Sequence, residues 1–148
     1  MAGARFLLFE CAEGVLVGAG ERLVYIVDDD EPVRDSMKTL LEACDFNVRD
    51  FASCNGFLEA YGTAPAGGAD GCLLLDLHMP VMSGLEFMER FGARLGGMPV
   101  IMVTGRGDEA TLARARQAGV VAVLEKPFEE DDLLDTVERL MPAAANGN

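Results

Sequence analysis

Carboxylates, a hydroxyl and an ammonium interrupt the apolar runs of this 148-residue chain at places where they could handle phosphate. The run Leu23 to Val27 breaks into Asp28-Asp29-Asp30-Glu31, and Cys72 to Leu75 ends on Asp76. Val100 to Val103 ends on Thr104, and Val120 to Leu124 leads into Glu125-Lys126-Pro127-Phe128. Carboxylates gathered within a few ångströms repel by about 4 kcal/mol per pair at an intermediate dielectric, so such a set calls for a cation. Oxygen ligands from one or two carboxylates, a backbone carbonyl and retained waters suit Mg²⁺, which also bridges to phosphate oxygens. The ion relieves the repulsion and neutralises charge on a phosphoryl group in transfer. Lys126 adds a second positive point, Thr104 a hydroxyl donor, and Asp76 a nucleophilic oxygen.

For these groups to meet, the runs that carry them must end on one edge. From Leu23 onward, short apolar runs alternate with amphipathic stretches at the period of a strand–helix unit, which predicts an α/β fold with a parallel sheet. The carboxyl ends of such strands line the crevice where ligands bind. Strands are expected at Leu23 to Val27, Asn47 to Phe51, Cys72 to Leu75, Val100 to Val103 and Val120 to Leu124. Between them, Pro32 opens a helix whose buried face is Val33, Met37, Leu40, Leu41 and Cys44. Ser53 caps a second with Phe57, Leu58 and Tyr61 inward, and Ser83 with Glu86 forms a capping box for a third, running to about Phe91. Asp108 caps a fourth that stops at Gly119. A last helix from about Glu130 buries Leu133, Leu134, Val137 and Leu140.

Residues 23–141 are therefore read as one domain. Residues 1–22, Gly- and Ala-rich, are expected to be a flexible extension, with an added strand on the sheet edge as the alternative, and 142–148 a disordered tail. Thr63 to Asp70 reads as a surface loop. With 25 Asp and Glu against 12 Lys and Arg, a formal net charge of -13, the surface repels phosphate backbones and argues against direct nucleic-acid binding. The four cysteines show no zinc-site spacing and fit free thiols in a reducing cytoplasm. No apolar run approaches the roughly 20 residues of a membrane span.

In order and separation, Val-Asp-Asp-Asp-Glu-Pro-Val-Arg at 27–34, Asp-Leu-His-Met-Pro at 76–80 with Ser83-Gly84, Thr104-Gly105 and Glu125-Lys126-Pro127-Phe128 resemble the receiver domain of bacterial two-component response regulators, FixJ-like receivers in particular. The resemblance spans about Leu23 to Met141. It implies a flavodoxin-like, doubly wound five-stranded sheet of order 2-1-3-4-5, counted from Leu23, with helices on both faces. It further implies phosphorylation of Asp76 by a sensor histidine kinase or phosphotransfer protein, with Mg²⁺ held by Asp29, Asp76 and the His78 backbone carbonyl and Asp28 acting mainly through water. Thr104 and Lys126 would contact the phosphoryl oxygens, the Lys126-Pro127 bond would be cis, and output would pass to a downstream protein. A homodimer through the face of the fourth helix, fifth strand and fifth helix is also expected.

The chain departs from that family at Val123, where receivers usually carry Tyr or Phe. A β-branched side chain is stiff about χ1 and cannot swing a ring toward Thr104, so a muted or rerouted switch is expected. That departure keeps a phosphorylation-independent binding scaffold in view. A Mg²⁺-dependent aspartyl phosphohydrolase is a further alternative, but it asks for a second Asp where His78 stands. Arg106, in a Gly-flanked loop, is a candidate to screen the site. The set Met79, Met82, Met88, Met98 and Met102 is read as packing.

Overall fold

The computed structural model describes residues 6–8, 22–62, 71–105 and 107–141. Its elements in chain order are β1 (Phe6–Leu8), β2 (Leu23–Val27), α1 (Glu31–Ala43), β3 (Asn47–Phe51), α2 (Cys54–Tyr61), β4 (Cys72–Asp76), α3 (Gly84–Phe91), β5 (Val100–Thr104), α4 (Glu109–Gln117), β6 (Ala122–Glu125) and α5 (Glu130–Leu140). A short 3-10 helix, Gly92–Leu95, extends α3 beyond the expected stop at Phe91. One sheet holds all six strands in the order β1-β6-β5-β4-β2-β3. The five strands from Leu23 onward are parallel and, counted from there, follow the expected 2-1-3-4-5 order.

Within the expected flexible extension 1–22, the structure departs from that reading at Phe6–Leu8, while residues 1–5 and 9–21 lie outside the described residues. Phe6–Leu8 forms a strand antiparallel to β6, with Phe6 opposite Leu124, Leu7 opposite Val123 and Leu8 opposite Ala122. The alternative of an added edge strand is what the structure holds. The expectations for the loop Thr63 to Asp70, for Arg106 and for the tail 142–148 lie outside the described residues.

The apolar runs are strands because both their faces are covered. Every residue of β4 and β5 is buried, as strands sandwiched between helix layers must be. Alternate side chains go to opposite faces. Leu73, Leu75, Val100 and Met102 join a core with Phe57, Phe87 and Met88, under α2, α3 and α4. Cys72, Leu74, Ile101 and Val103 join Met37, Leu41, Leu133 and Val137, under α1 and α5. The methionine set is packing, since Met88, Met98 and Met102 lie in the first core and Met79 and Met82 pack against it. Asp30, Ser53, Ser83 and Asp108 cap their helices by accepting from the backbone N–H of Val33, Gly56, Glu86 and Thr111. Each cap satisfies a donor the first turn would leave orphaned.

Gly84 closes the β4–α3 loop at van der Waals limits. Its N–H donates to the Leu77 carbonyl at 2.9 Å, and a Cβ there would collide with the Asp76 carbonyl oxygen and press on the Leu77 backbone. Because the obstacle is backbone on an inner strand, it cannot yield as a side chain would. Gly84→Ala is expected to lower stability by about 1–3 kcal/mol, read from the urea midpoint at unchanged slope; a midpoint equal to wild type would show that the loop has room.

Candidate functional site

The loops that leave β2, β4 and β6 meet at the carboxyl edge of the sheet. β2 delivers Asp28, which is 1% exposed. Its N–H donates to the Phe51 carbonyl of β3 at 3.1 Å, its Oδ1 accepts from the Asp30 N–H at 2.9 Å, and its carbonyl accepts from Arg34 Nη1 at 2.7 Å. β4 ends on Asp76, 5% exposed, and the next residue ties to β5 by Leu77 N–H donating to the Val103 carbonyl at 2.8 Å. β6 leads to Lys126, whose N–H donates to the Thr104 carbonyl at 2.7 Å, and the Lys126-Pro127 bond is cis.

The side chains converge as the sequence suggested. One carboxylate oxygen from each of Asp28, Asp29 and Asp76 lies within 4.8 Å of the others, with Asp29 exposed and the other two buried. Lys126 Nζ stands 3.6 Å from Asp28 Oδ2 and 3.7 Å from Asp76 Oδ1. Thr104, buried at the end of β5, lies one residue beyond Val103, the register partner of Asp76. His78 is exposed on the loop after β4, while its backbone N–H donates to Asp76.

Two observations bear on a cation. Asp28 Oδ2 is buried without a hydrogen-bond partner, a costly state for a carboxylate oxygen. The Asp76 carboxyl is pushed up to about 6, by burial first and by the neighbouring Asp28 next, with Asp29 adding to it; Lys126 and the His78 N–H pull the other way. One ammonium at ion-pair distance does not offset two buried carboxylates and a third at the rim. All-oxygen donors with an unsatisfied oxygen fit a hard divalent ion such as Mg²⁺.

The structure gives Arg34, the last residue of the acidic motif, a positioning role. One turn into α1, it donates through Nη1 to the Asp28 carbonyl and through Nε to Asp50 Oδ2 of β3 at 3.0 Å. Lys38 Nζ reaches Asp50 Oδ1 at 3.3 Å. Burial works against the ionised Asp50, but the bonds from Arg34 and Lys38 outweigh it and hold its carboxyl below the usual range. Arg34 thus ties the acid loop to β3. The signal available in the sequence was its position, four residues after the helix cap Asp30.

A parallel sheet of order 2-1-3-4-5 with three acids, a threonine and a lysine at its carboxyl edge defines a receiver. The family model for the response regulator receiver domain matches residues 24–138, and the chain belongs to that family. It is 40% identical over 116 residues to the transcriptional regulatory protein FixJ of Rhizobium meliloti, covering 78% of this chain and 55% of that protein. It is 35% identical over 124 residues to the response regulator protein TmoT of Ectopseudomonas mendocina, covering 84% and 54%. The chain therefore spans about half the length of the curated relatives it matches. Among solved structures, FixJ-N superposes with a TM-score of 0.72 at 34% identity, over 86% of this chain and 99% of that one. The CheY-like receiver from Methanospirillum hungatei gives 0.74 at 29%, over 82% and 94%. Phosphoacceptor signal transduction of the two-component type is what this family does, and membership does not favour the phosphohydrolase or scaffold alternatives.

Protonated Asp76 fits its buried place and ionised Asp76 does not, so its contribution to stability is present below the ordinary aspartate range and is lost as pH rises through about 6. Asp76→Asn is expected to be more stable than wild type at neutral pH by about 1–3 kcal/mol, with the gain fading below about pH 4. Thermal unfolding across pH checks this; a difference independent of pH would mean that Asp76 is not strained by its neighbours.

Proposed function

We propose that Asp76 is the phosphoacceptor, that Mg²⁺ is held by Asp29, Asp76 and the His78 backbone carbonyl with Asp28 acting mainly through water, and that Thr104 and Lys126 contact the phosphoryl oxygens. The observation that carries this reading is the buried Asp28 Oδ2, without a hydrogen-bond partner, beside two further carboxylates and one ammonium. The bound ion supplies charge neutralisation at the phosphoryl oxygens. A carboxylate oxygen of Asp76 attacks phosphorus in line, the bond from phosphorus to the donor's imidazole nitrogen breaks, and that nitrogen keeps the electron pair. Lys126, already 3.7 Å from Asp76 Oδ1, stays beside the acyl phosphate that forms.

The donor is a sensor histidine kinase or a phosphotransfer protein, and output passes to a downstream protein rather than directly to nucleic acid. The acyl phosphate adds about -1.5 to -2 charge at the sheet edge, the local event that biases a two-state surface. Catalysis is confined to the chain's own phosphorylation and dephosphorylation: the position two residues past Asp76, where a hydrolase of this kind places a second acid, is the exposed His78. A cytoplasmic location follows from the donor. The α4–β6–α5 face is the surface through which two copies would pair. Among the described residues no helix is long and apolar enough to cross a membrane.

Incubation with acetyl phosphate and Mg²⁺, followed by intact mass, is expected to add one phosphoryl group to wild type and none to Asp76→Asn. The adduct should require Mg²⁺, survive acid and be lost in base. Equal labelling of the Asn variant, or labelling unaffected by chelation, would overturn the assignment.

A further inference from the structure

Strand β6 has β5 on one side and, among the described residues, a three-residue strand on the other. Lys126 N–H donates across to Thr104 of β5. Backbone groups along a strand turn to alternate sides, so those of Val123 and Glu125 point away from β5. Leu7, opposite Val123, is then the residue that exchanges backbone bonds with the edge. Among the described residues this is the single such pair, a thin closure.

Its direction suits a cover drawn from the same chain. Being antiparallel, β1 ends with Leu8 beside Ala122, where β6 begins, and Leu23 opens β2 at that same end of the sheet. β6 and β2 are separated by two strands, about 14 Å at the usual spacing, and the 14 residues between Leu8 and Leu23 reach up to about 46 Å. A connection of that length exceeds what the crossing needs, so β1 can leave the edge without displacing β2. Once bare, the edge would present the unpaired backbone of Ala122–Glu125, whose first three residues are apolar and buried, and such an edge is a template for another strand.

We propose that β1 is a displaceable cover on the β6 edge, and that its occupant when β1 leaves is the β6 edge of a second copy, paired antiparallel about a two-fold axis. The pairing itself favours a second copy: β1 shows that this edge accepts an antiparallel apolar strand, and β6 presents to its own copy an apolar strand in that same relation, the self-complementary match that a two-fold interface demands. The net charge of -13 opposes the meeting of two copies, so salt should strengthen it. The identity of the partner rests on the reading that copies pair through the α4–β6–α5 face; the covering role of β1 does not.

Two measurements on the full chain without phosphodonor separate these parts. Leu7→Pro removes the N–H at the paired position, and a chain lacking residues 1–9 removes the strand; circular dichroism confirms that both fold. Hydrogen exchange at dilution, where all are monomeric, should be faster for the β6 amides in both variants than in wild type. Unchanged exchange would mean that β1 covers nothing. Sedimentation across a concentration series should show self-association at least about tenfold tighter in both variants than in wild type, and tighter still with added salt. Faster exchange with no gain in self-association would overturn the second-copy occupant and leave β1 as a cover alone, and a wild-type dimer that either variant dissolves would show that β1 joins copies instead of keeping them apart.

Discussion

The constraint on which this structure turns is the enforced proximity of two buried carboxylates, Asp28 and Asp76, to a single ammonium. An ionised acid in a low-dielectric place is costly, and a second one beside it multiplies the cost. Lys126 stands between them at 3.6 and 3.7 Å, close enough for Coulomb attraction and too far for a hydrogen bond. The result is a site short of positive charge, visible both in the Oδ2 of Asp28 that no hydrogen bond satisfies and in the raised Asp76 carboxyl. A site in that condition gains by taking up a cation, and with the cation in place it gains again by taking up a phosphoryl group that the cation and the ammonium can share.

The rest of the fold keeps that arrangement from relaxing. Asp76 closes a strand whose every residue is buried, flanked by β2 and β5, so it cannot retreat toward solvent without tearing an inner strand from the sheet. Asp28 is fixed from three sides, through Phe51 of β3, its own loop at Asp30, and the Arg34 guanidinium that Asp50 in turn orients. Gly84 lets α3 begin against the Asp76 carbonyl, where any side chain would push the loop away. Local strain is stored in this loop as well: Val81, 91% exposed, holds a φ of 71°, an unfavourable setting for a β-branched residue.

How much of this could be read from the residues depended on whether the signal was local. The inner strands were legible because burial on both faces leaves continuous apolar runs, and the caps at Ser53, Ser83 and Asp108 because a short polar side chain before a helix has a mechanical reason to be there. The convergence of Asp28, Asp29, Asp76 and Lys126 followed from the strand-end rule. The part played by Arg34 did not, since its partners are a backbone carbonyl and an acid 16 residues away on an edge strand that carries little apolar signal. Phe6–Leu8 was hard for a different reason: three apolar residues lack the length for any period to show, and their strand exists through pairing with β6, a contact more than 110 residues distant in sequence.

Val123 brings the site and the added strand together. Its side chain is buried in the core beneath α4, among residues that include Leu112 and Ala115, where a β-branched group has little rotameric freedom. A ring that turns between two positions is therefore not available to report events at Thr104. What β6 retains is its backbone: the strand is bonded to β5 next to Thr104, runs directly into Lys126, and at Val123 faces Leu7 on the far side. On the proposed reading, a shift of Lys126 or Thr104 toward a phosphoryl group would pull on that strand, whose far side is held, among the described residues, by the pairing with β1. The backbone of β6 rather than a turning ring is then the route by which an event at the acids would reach the sheet edge.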